Sequence, residues 1–192
     1  ARNFYKLDRP DVKILEVGCG PGGNIWYLAR EGFAAYGIDG SPTAIAQAKK
    51  LLEVDGLKAN LVVGDIVQLP FPDQVFDAVI DLECLYSNSE ESTQRILGEV
   101  NRVLKRSGLF YSRTLSEKMY LGKTRTQLDD KAYTDVSDGP LSGKGFVRLM
   151  DIDDIHLLYG KLFNIRSIDL LEYTQNNRLE TFGEYIIISE KK

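Results

Sequence analysis

Residues 15–24 read Leu-Glu-Val-Gly-Cys-Gly-Pro-Gly-Gly-Asn, and this stretch decides the fold. It connects an apolar run at 12–17 to a helical pattern at 23–30 through a glycine-rich turn. Glycine lets the backbone turn sharply and approach a ligand without a Cβ clash. The free N–H groups at the start of a helix attract anionic or polar ligand atoms. The stretch therefore predicts a strand, a ligand-binding turn and a helix in succession.

Short apolar runs and helical patterns alternate after this turn, which is typical of βαβ units that build a parallel sheet. We expect further strands at 34–38, 61–63, 75–80 and 109–114. Between the second and third of these, Pro70 and Pro72 predict a loop rather than a helix.

Serine residues mark where two of the predicted helices begin. Ser41, followed by Pro42, is a typical N-cap, and Ser89 precedes two acids that favour a helix N-terminus. We expect the first of these helices to bury the face formed by Ala44, Ile45, Ala48, Leu51 and Leu52. We expect the second to bury Ile96, Leu97, Val100, Val103 and Leu104 and to close at Lys105 and Arg106.

The C-terminal part changes character. Residues 116–145 are rich in Lys, Asp, Ser, Thr and Gly, and a loop of this length is typical of a functional lid. A helix is predicted at 152–162, followed by strands at 163–173 and 184–189. The connection between these strands is too short for a helical crossover, so we expect them to pair antiparallel.

Composition narrows the function classes. The 192 residues suit one domain, the net charge is −4, and no basic block supports binding to nucleic acid. No apolar run approaches about 18 residues, and residues 1–10 do not resemble a signal peptide. Two cysteines, Cys19 and Cys84, are typical of a reducing compartment, and the lone His156 excludes a multi-histidine metal site.

We therefore expect a cytoplasmic monomer or homodimer without a metal, a membrane anchor or a nucleic-acid partner. The sequence begins with Ala1 rather than Met, so its terminus was trimmed or earlier residues are absent.

The glycine-rich turn fits two templates. Gly18, Gly20 and Gly23 match the dinucleotide fingerprint G-x-G-x-x-G, and Asp39 lies 21 residues after Gly18. The same turn, read from Glu16, matches the E-x-G-x-G-x-G pattern of another nucleoside-binding family. The turn alone does not separate the two.

Three further segments favour the second template. Residues 36–41, Tyr-Gly-Ile-Asp-Gly-Ser, place an acid at the end of the second strand. Residues 64–73 read Gly-Asp-Ile-Val-Gln-Leu-Pro-Phe-Pro-Asp, and 75–81 with 99–108 follow in order. Together they resemble class I S-adenosylmethionine-dependent methyltransferases of the small-molecule type, over residues 12–112.

The resemblance implies an α/β, Rossmann-like fold: a seven-stranded, mostly parallel sheet with an antiparallel last strand and helices on both faces. Residues 1–192 would form a single domain, with a cofactor half at 12–115, an acceptor lid at 116–145 and a C-terminal helix and hairpin at 146–192.

The resemblance also implies roles for the acids. Asp39 would accept from the ribose hydroxyls of S-adenosyl-L-methionine, and Asp65 from the adenine amino group. Glu16 lies inside an apolar strand, so it needs partners, either the glycine turn or the amino end of the cofactor. The full set of expected cofactor-binding residues is Glu16, Gly18, Cys19, Gly20, Gly22, Asn24, Asp39, Gly40, Ser41, Asp65, Ile66, Asp81 and Leu82.

The implied reaction is in-line transfer of a methyl group from a sulfonium to an oxygen or nitrogen of a small molecule. No residue identifies itself as a general base. Residues that are candidates for the acceptor pocket by location are Glu83, Tyr86, Tyr111, Tyr120 and Tyr133. Methylation of a protein or RNA, and an NAD-binding oxidoreductase, are the alternative functions.

Overall fold

The computed structural model describes residues 8–192, so the expectations for residues 1–7 lie outside the described part of the chain. The strands are β1 Lys13–Val17, β2 Ala34–Asp39, β3 Asn60–Val63, β4 Phe76–Leu82, β5 Leu104–Leu115, β6 Thr126–Gln127, β7 Ala132–Thr134, β8 Val147–Arg148, β9 Phe163–Gln175 and β10 Glu180–Lys191. The helices are α1 Gly23–Arg30, α2 Pro42–Val54, α3 Glu90–Val103 and α4 Ile152–Tyr159.

Seven strands form the main sheet in the order β3-β2-β1-β4-β5-β10-β9. The first five pair in parallel, and β10 pairs antiparallel with both β5 and β9. The predicted seven-stranded, mostly parallel sheet with an antiparallel last strand is confirmed. In such sheets ligands bind in the crevice at the carboxyl ends of the parallel strands.

Helices cover both faces of this sheet because side chains alternate along each strand. On β1, Ile14 packs with α1 and α2 in one apolar cluster. Leu15 and Val17 point the other way and pack with α3 and α4 in a second cluster. Glu16 is in phase with Ile14, which places its side chain on the α1 side.

The helix ends follow the predicted capping chemistry. Ser41 Oγ accepts from the backbone N–H of Ala44 at 3.2 Å, and Ser89 Oγ accepts from that of Ser92 at 3.2 Å. Gly32 adopts a φ of +87° just after α1, a conformation that a residue with a Cβ adopts only with strain.

Two details of the predicted helices are wrong. Leu51 is 38% exposed, so the buried face of α2 consists of Ile45, Ala48 and Leu52. The third helix does not close at Lys105 and Arg106, because Leu104 already pairs with β4 and begins β5. Lys105 lies in the strand, where its Nζ contacts Asp77 Oδ1 at 2.7 Å.

The C-terminal elements also differ in length from the prediction. Helix α4 ends at Tyr159 instead of continuing to 162. The hairpin strands β9 and β10 extend to a connection of only 176–179, and they pair antiparallel as expected.

Residues 116–149, here called the cap, are not an open polar loop. The cap contains a small sheet in the order β6-β7-β8 and an apolar cluster of its own. Buried members of this cluster are Tyr86, Leu115, Met119, Leu121, Val136, Leu141, Val147, Leu149 and Phe182. Because Leu115 ends β5 and Phe182 lies near the start of the antiparallel β10, the cap lies over the carboxyl edge of the sheet.

Ion pairs tie the cap to two helix N-termini. Arg148 contacts Glu90 of α3 at 3.0 Å and Asp129 of the cap at 2.9 Å. Lys131 contacts Asp151 and Asp154, at the start of α4, both at 2.6 Å. These contacts connect the cap to both helices of one sheet face.

Adjacent leucines of α2 provide a matched test of the packing. Leu52→Ala should lower the free energy of unfolding by about 2–5 kcal/mol, because Leu52 is only 4% exposed and its removal leaves a cavity. Leu51→Ala, the same change one position earlier, should cost less than about 1 kcal/mol. Urea denaturation measures both, and equal losses would contradict this packing.

Candidate functional site

The glycine-rich turn connects β1 to α1 at the carboxyl edge of the sheet. Gly18 and Gly20 adopt φ of +66° and +51°, the left-handed region that favours glycine. The Gly20 N–H donates to Asp39 Oδ2 at 2.8 Å. A Cβ at Gly20 would meet nothing within 4 Å, so the backbone of the turn is open to a ligand there.

Asp39 ends β2, and its carboxylate connects the glycine-rich turn to the turn between β2 and α2. Its Oδ1 accepts from the Ser41 N–H at 2.8 Å, while Oδ2 accepts from Gly20. Two backbone donors thus fix the orientation of the carboxylate, and each oxygen retains a second lone pair for a ligand hydroxyl. The Ser41 hydroxyl serves as the N-cap of α2.

A cleft of about 600 Å³ opens beside Asp39. That volume lies in the range of roughly 300–1,000 Å³ that is usual for small-molecule sites. Its walls consist of Gly18, Asp39, Gly40, Val63, Gly64, Asp65, Ile66, Cys84, Ser87 and Asn88. Of the expected cofactor-binding residues, the structure therefore brings Gly18, Asp39, Gly40, Asp65 and Ile66 to one cleft.

Glu16 lies beneath the glycine turn and is only 2% exposed. Its Oε1 accepts from Asn24 Nδ2 at 2.7 Å, while its Oε2 is buried and has no partner within the described residues. Burial raises the pKa of Glu16 to about 7, against the lowering effect of the Asn24 hydrogen bond, and the nearby Asp81 and Asp39 raise it further. A buried acceptor without a donor indicates a place for a ligand donor.

Asp81, at the end of β4, is fully buried and supports the following loop from below. Its Oδ1 accepts from the N–H groups of Cys84 and Leu85 at 3.0 and 3.1 Å. Its Oδ2 accepts from Ser112 Oγ at 2.7 Å, and that hydroxyl lies 2.8 Å from Tyr159 Oη. Burial raises the pKa of Asp81 to about 6 against these hydrogen bonds. The side chain is thus used within the protein and does not line the cleft.

Six other expected contacts are also absent from the cleft walls, namely Cys19, Gly20, Gly22, Asn24, Ser41 and Leu82. Gly22 packs against α2, because a Cβ there would lie 2.6 Å from the Cβ of Ala48. The Cys19 side chain packs in the apolar cluster of α1 and α2, and burial raises the pKa of its thiol to about 12.

The loop 83–88 separates the cleft from a second cavity. Cys84, Ser87 and Asn88 face the cleft, whereas Glu83 and Tyr86 face the second cavity. We did not predict Cys84, Ser87 and Asn88 as cleft residues from the sequence. Their position directly after β4, at the carboxyl edge of the sheet, would have indicated it.

The second cavity has a volume of about 140 Å³ and lies under the cap. Its walls are Glu83, Tyr86, Leu115, Met119, Pro140, Leu141, Lys144, Tyr173, Phe182 and Glu184. The structure therefore brings Glu83 and Tyr86 together, as expected for an acceptor pocket. Tyr111, Tyr120 and Tyr133 are not among its walls, and the Tyr120 hydroxyl instead donates to Asp138 at 2.8 Å.

Other parts of the molecule do not join this site. A larger cavity of about 720 Å³ lies where β2 and β3 begin, at the opposite edge of the sheet from the glycine turn. His156 is exposed on α4. Within residues 8–192 no group of three His, Cys, Asp or Glu side chains is arranged to hold a metal ion. No helix in this range has the length and apolar character needed to cross a membrane.

Residues 14–108 match a family model described as a methyltransferase domain. This range contains the glycine turn, Asp39, Asp65 and the loop 83–88.

Two curated relatives each match somewhat more than half of the chain. The phthiotriol/phenolphthiotriol dimycocerosates methyltransferase of Mycobacterium tuberculosis is 38% identical over 111 residues, which is 57% of this chain and 40% of that protein. The sterol 24-C-methyltransferase ERG6B of Gibberella zeae is 34% identical over 105 residues, which is 53% of this chain and 27% of that protein. The chain thus spans less than half the length of these relatives.

Among solved structures, a SAM-dependent methyltransferase from Methanosarcina mazei superimposes with a TM-score of 0.80 at 25% identity. The superposition covers 99% of this chain and 95% of that one, so the similarity includes the cap and the C-terminal hairpin.

The buried Glu16 makes stability depend on pH. Its pKa of about 7 in the folded chain exceeds the ordinary 4.5, so folding takes up a proton between these pH values. The free energy of unfolding should therefore fall as pH rises from about 4.5 to about 7, by an amount on the order of 3 kcal/mol. Glu16→Gln, which cannot ionise, should lack this contribution.

Urea denaturation of both proteins across this pH range measures the effect as a difference. Asp81, whose pKa is also raised, is present in both proteins, so its contribution largely cancels. Curves that stay parallel across the range would show that Glu16 does not hold the proton.

Proposed function

We propose that this chain, which belongs to the class I S-adenosylmethionine-dependent methyltransferases, transfers a methyl group from S-adenosylmethionine to a small-molecule acceptor. One observation carries the proposal. Glu16, Asp39 and Asp81 lie at the ends of three neighbouring strands, and none of the groups that perturb the pKa of Glu16 is basic.

This concentration of acids favours a cationic ligand. S-adenosylmethionine carries a sulfonium and an ammonium, and both are attracted to carboxylates in a poorly solvated place. The alternative, a dinucleotide, would place its pyrophosphate over the first turn, close to the same acids. Repulsion there argues against the NAD-binding oxidoreductase.

The cleft offers suitable partners for each part of the cofactor. The oriented carboxylate of Asp39 is suited to accept from a vicinal diol such as the ribose hydroxyls. Asp65, whose Oδ1 accepts from the Val67 N–H at 3.0 Å, is placed to accept from the adenine amino group, with Ile66 against the ring. The unpartnered Oε2 of Glu16 is suited to the ammonium at the amino end.

The cofactor supplies a methyl group on a sulfonium, which is already a strong electrophile. The contribution of the chain is to hold donor and acceptor on either side of the loop 83–88, since residues of this loop line both the cleft and the second cavity. Holding two reactants at attack distance is worth up to roughly 7–11 kcal/mol. Asp81 acts as a positioning residue, because its hydrogen bonds fix the start of this loop.

We also propose that the cap closes over the acceptor, because Met119, Pro140 and Leu141 form one wall of the second cavity. The lid boundaries 116–145 stay a prediction from the sequence. The same holds for the cytoplasmic location, the monomeric or homodimeric state and the lack of a nucleic-acid partner.

Calorimetry with S-adenosylhomocysteine tests the cofactor assignment. The wild-type chain should bind it, and NAD should not bind. Asp39→Ala should weaken binding by about 10- to 100-fold, because hydrogen bonds to a charged group contribute roughly 1.5–3 kcal/mol. Asp39→Asn should also weaken binding, because its NH2 group would face the N–H of Gly20 or of Ser41 in place of an accepting oxygen.

Asp73→Ala is the matched control. Asp73 is exposed and paired with Arg102 outside the cleft, so its loss should leave the affinity unchanged. Binding of NAD without binding of S-adenosylhomocysteine would reverse the assignment.

A further inference from the structure

The size of the second cavity limits what it can hold. Its volume is about 140 Å³, and an apolar cavity of roughly 150 Å³ in another protein accommodates benzene. The space therefore suits one ring or a short branched chain. A larger acceptor would have to leave most of its surface outside the cavity or displace the cap.

Seven of the ten wall residues are apolar or aromatic, although polar atoms contribute the larger part of the surface that faces the cavity. Leu115, Met119 and Leu141 contribute aliphatic surface from β5 and the cap. Tyr173 and Phe182 lie on adjacent strands with their rings stacked, the centroids 5.1 Å apart and the planes at 17°. Such walls favour a flat, apolar body.

One end of the cavity is acidic. Glu83 from the end of β4 and Glu184 from β10 both line it, with Arg113 of β5 between them. Arg113 Nε donates a short hydrogen bond to Glu184, which is only 7% exposed. The same nitrogen lies 3.5 Å from Glu83 Oε1, beyond the usual hydrogen-bond length. Two carboxylates thus share one guanidinium, and Glu83 retains the capacity to accept.

The backbone of Glu83 is held in an uncommon conformation. Its φ is +64°, in the left-handed region that strains a residue with a Cβ. Its N–H donates to the Arg113 carbonyl at 3.0 Å, so the strand end enforces this geometry. The conformation brings the side chain of residue 83 to the second cavity while that of Cys84 faces the cleft.

Lys144 is the one positive side chain among the cavity walls, and it belongs to an exposed part of the cap. Water screens an exposed ammonium strongly. The Glu83 carboxylate is also exposed and lies near Arg113, so hydrogen bonding distinguishes ligands here: a carboxylate or a fully ionised phosphate has no proton to donate to Glu83.

We propose that the second cavity selects a ring-sized acceptor that donates a hydrogen bond to Glu83 through a hydroxyl or a protonated amine, and that it rejects carboxylates and phosphates. Glu83 is then the specificity-determining residue. That the ligand of this cavity is a methyl acceptor rests on the proposed function, whereas the binding chemistry of the cavity is tested separately.

The experiment titrates three ring-sized probes into the full chain by calorimetry, with and without saturating S-adenosylhomocysteine. Benzylamine, phenol and benzoate share a ring and differ in charge and donor capacity. At pH 7.5 benzylamine and phenol should bind, and benzoate should bind at least tenfold more weakly. Glu83→Gln should weaken the binding of benzylamine about tenfold and that of phenol less. It should also narrow the difference in affinity between these two probes and benzoate.

Glu91→Gln serves as the matched control and should leave this order unchanged, because Glu91 is exposed and paired with Arg95 outside the cavity. Glu83→Asn, a residue that tolerates positive φ, provides a second variant if Glu83→Gln unfolds in a thermal melt. The proposal is overturned if benzoate binds as tightly as benzylamine, if no probe binds, or if Glu83→Gln leaves the benzylamine affinity unchanged. Probe binding in the expected order without binding of S-adenosylhomocysteine would instead reject the proposed function alone.

Discussion

Carboxylates that lack a neutralising cation are the constraint on which this site depends. Glu16, Asp39 and Asp81 lie on adjacent strands, and each raises the cost of ionising a neighbour. The fold tolerates them because hydrogen bonds from Asn24, Gly20 and Ser112 stabilise the charged forms. What remains is a region of negative potential beneath the glycine turn, which an arriving cation relieves.

The residues that follow β4 separate the cofactor cleft from the second cavity. Asp81 fixes the loop from below, and the unusual backbone of Glu83 makes neighbouring residues face opposite cavities. The cleft beside Asp39 is the wider of the two spaces, and the cavity under the cap is small and has the more polar surface. The cap contributes walls to the second space only, so changes in the cap alter the choice of acceptor more than the binding of cofactor.

Much of the fold is predictable from the sequence because the signals are local. The period of apolar residues and the capping serines placed the first three helices and most strands, and the short last connection predicted the antiparallel hairpin. The prediction missed where α3 gives way to β5, because Leu104 suits either a helix face or a strand pair. Leu51 was wrongly predicted to be buried, because the helical period does not show how far a neighbouring strand extends and therefore how much of the helix it covers.

The cap and the support of the site were less predictable because they depend on distant contacts. Val136 and Leu141 are single apolar residues in a polar stretch, and only packing against Tyr86 and Phe182 makes them a core. Asp81 was expected among the cofactor contacts, because the sequence does not show that Ser112, far away on β5, donates to its carboxylate. The glycine turn and Asp39 were predictable because residues that are consecutive in the sequence determine the chemistry of a tight turn.

The most direct measurement is the pKa of Glu16 itself, followed by carbon NMR of the labelled carboxyl group with and without S-adenosylmethionine. In the free chain this account predicts a pKa of about 7. Binding should lower it by at least about one unit, because a nearby positive charge favours the ionised carboxylate. A pKa that stays unchanged or rises on binding would contradict the claim that these acids receive the charge of the cofactor.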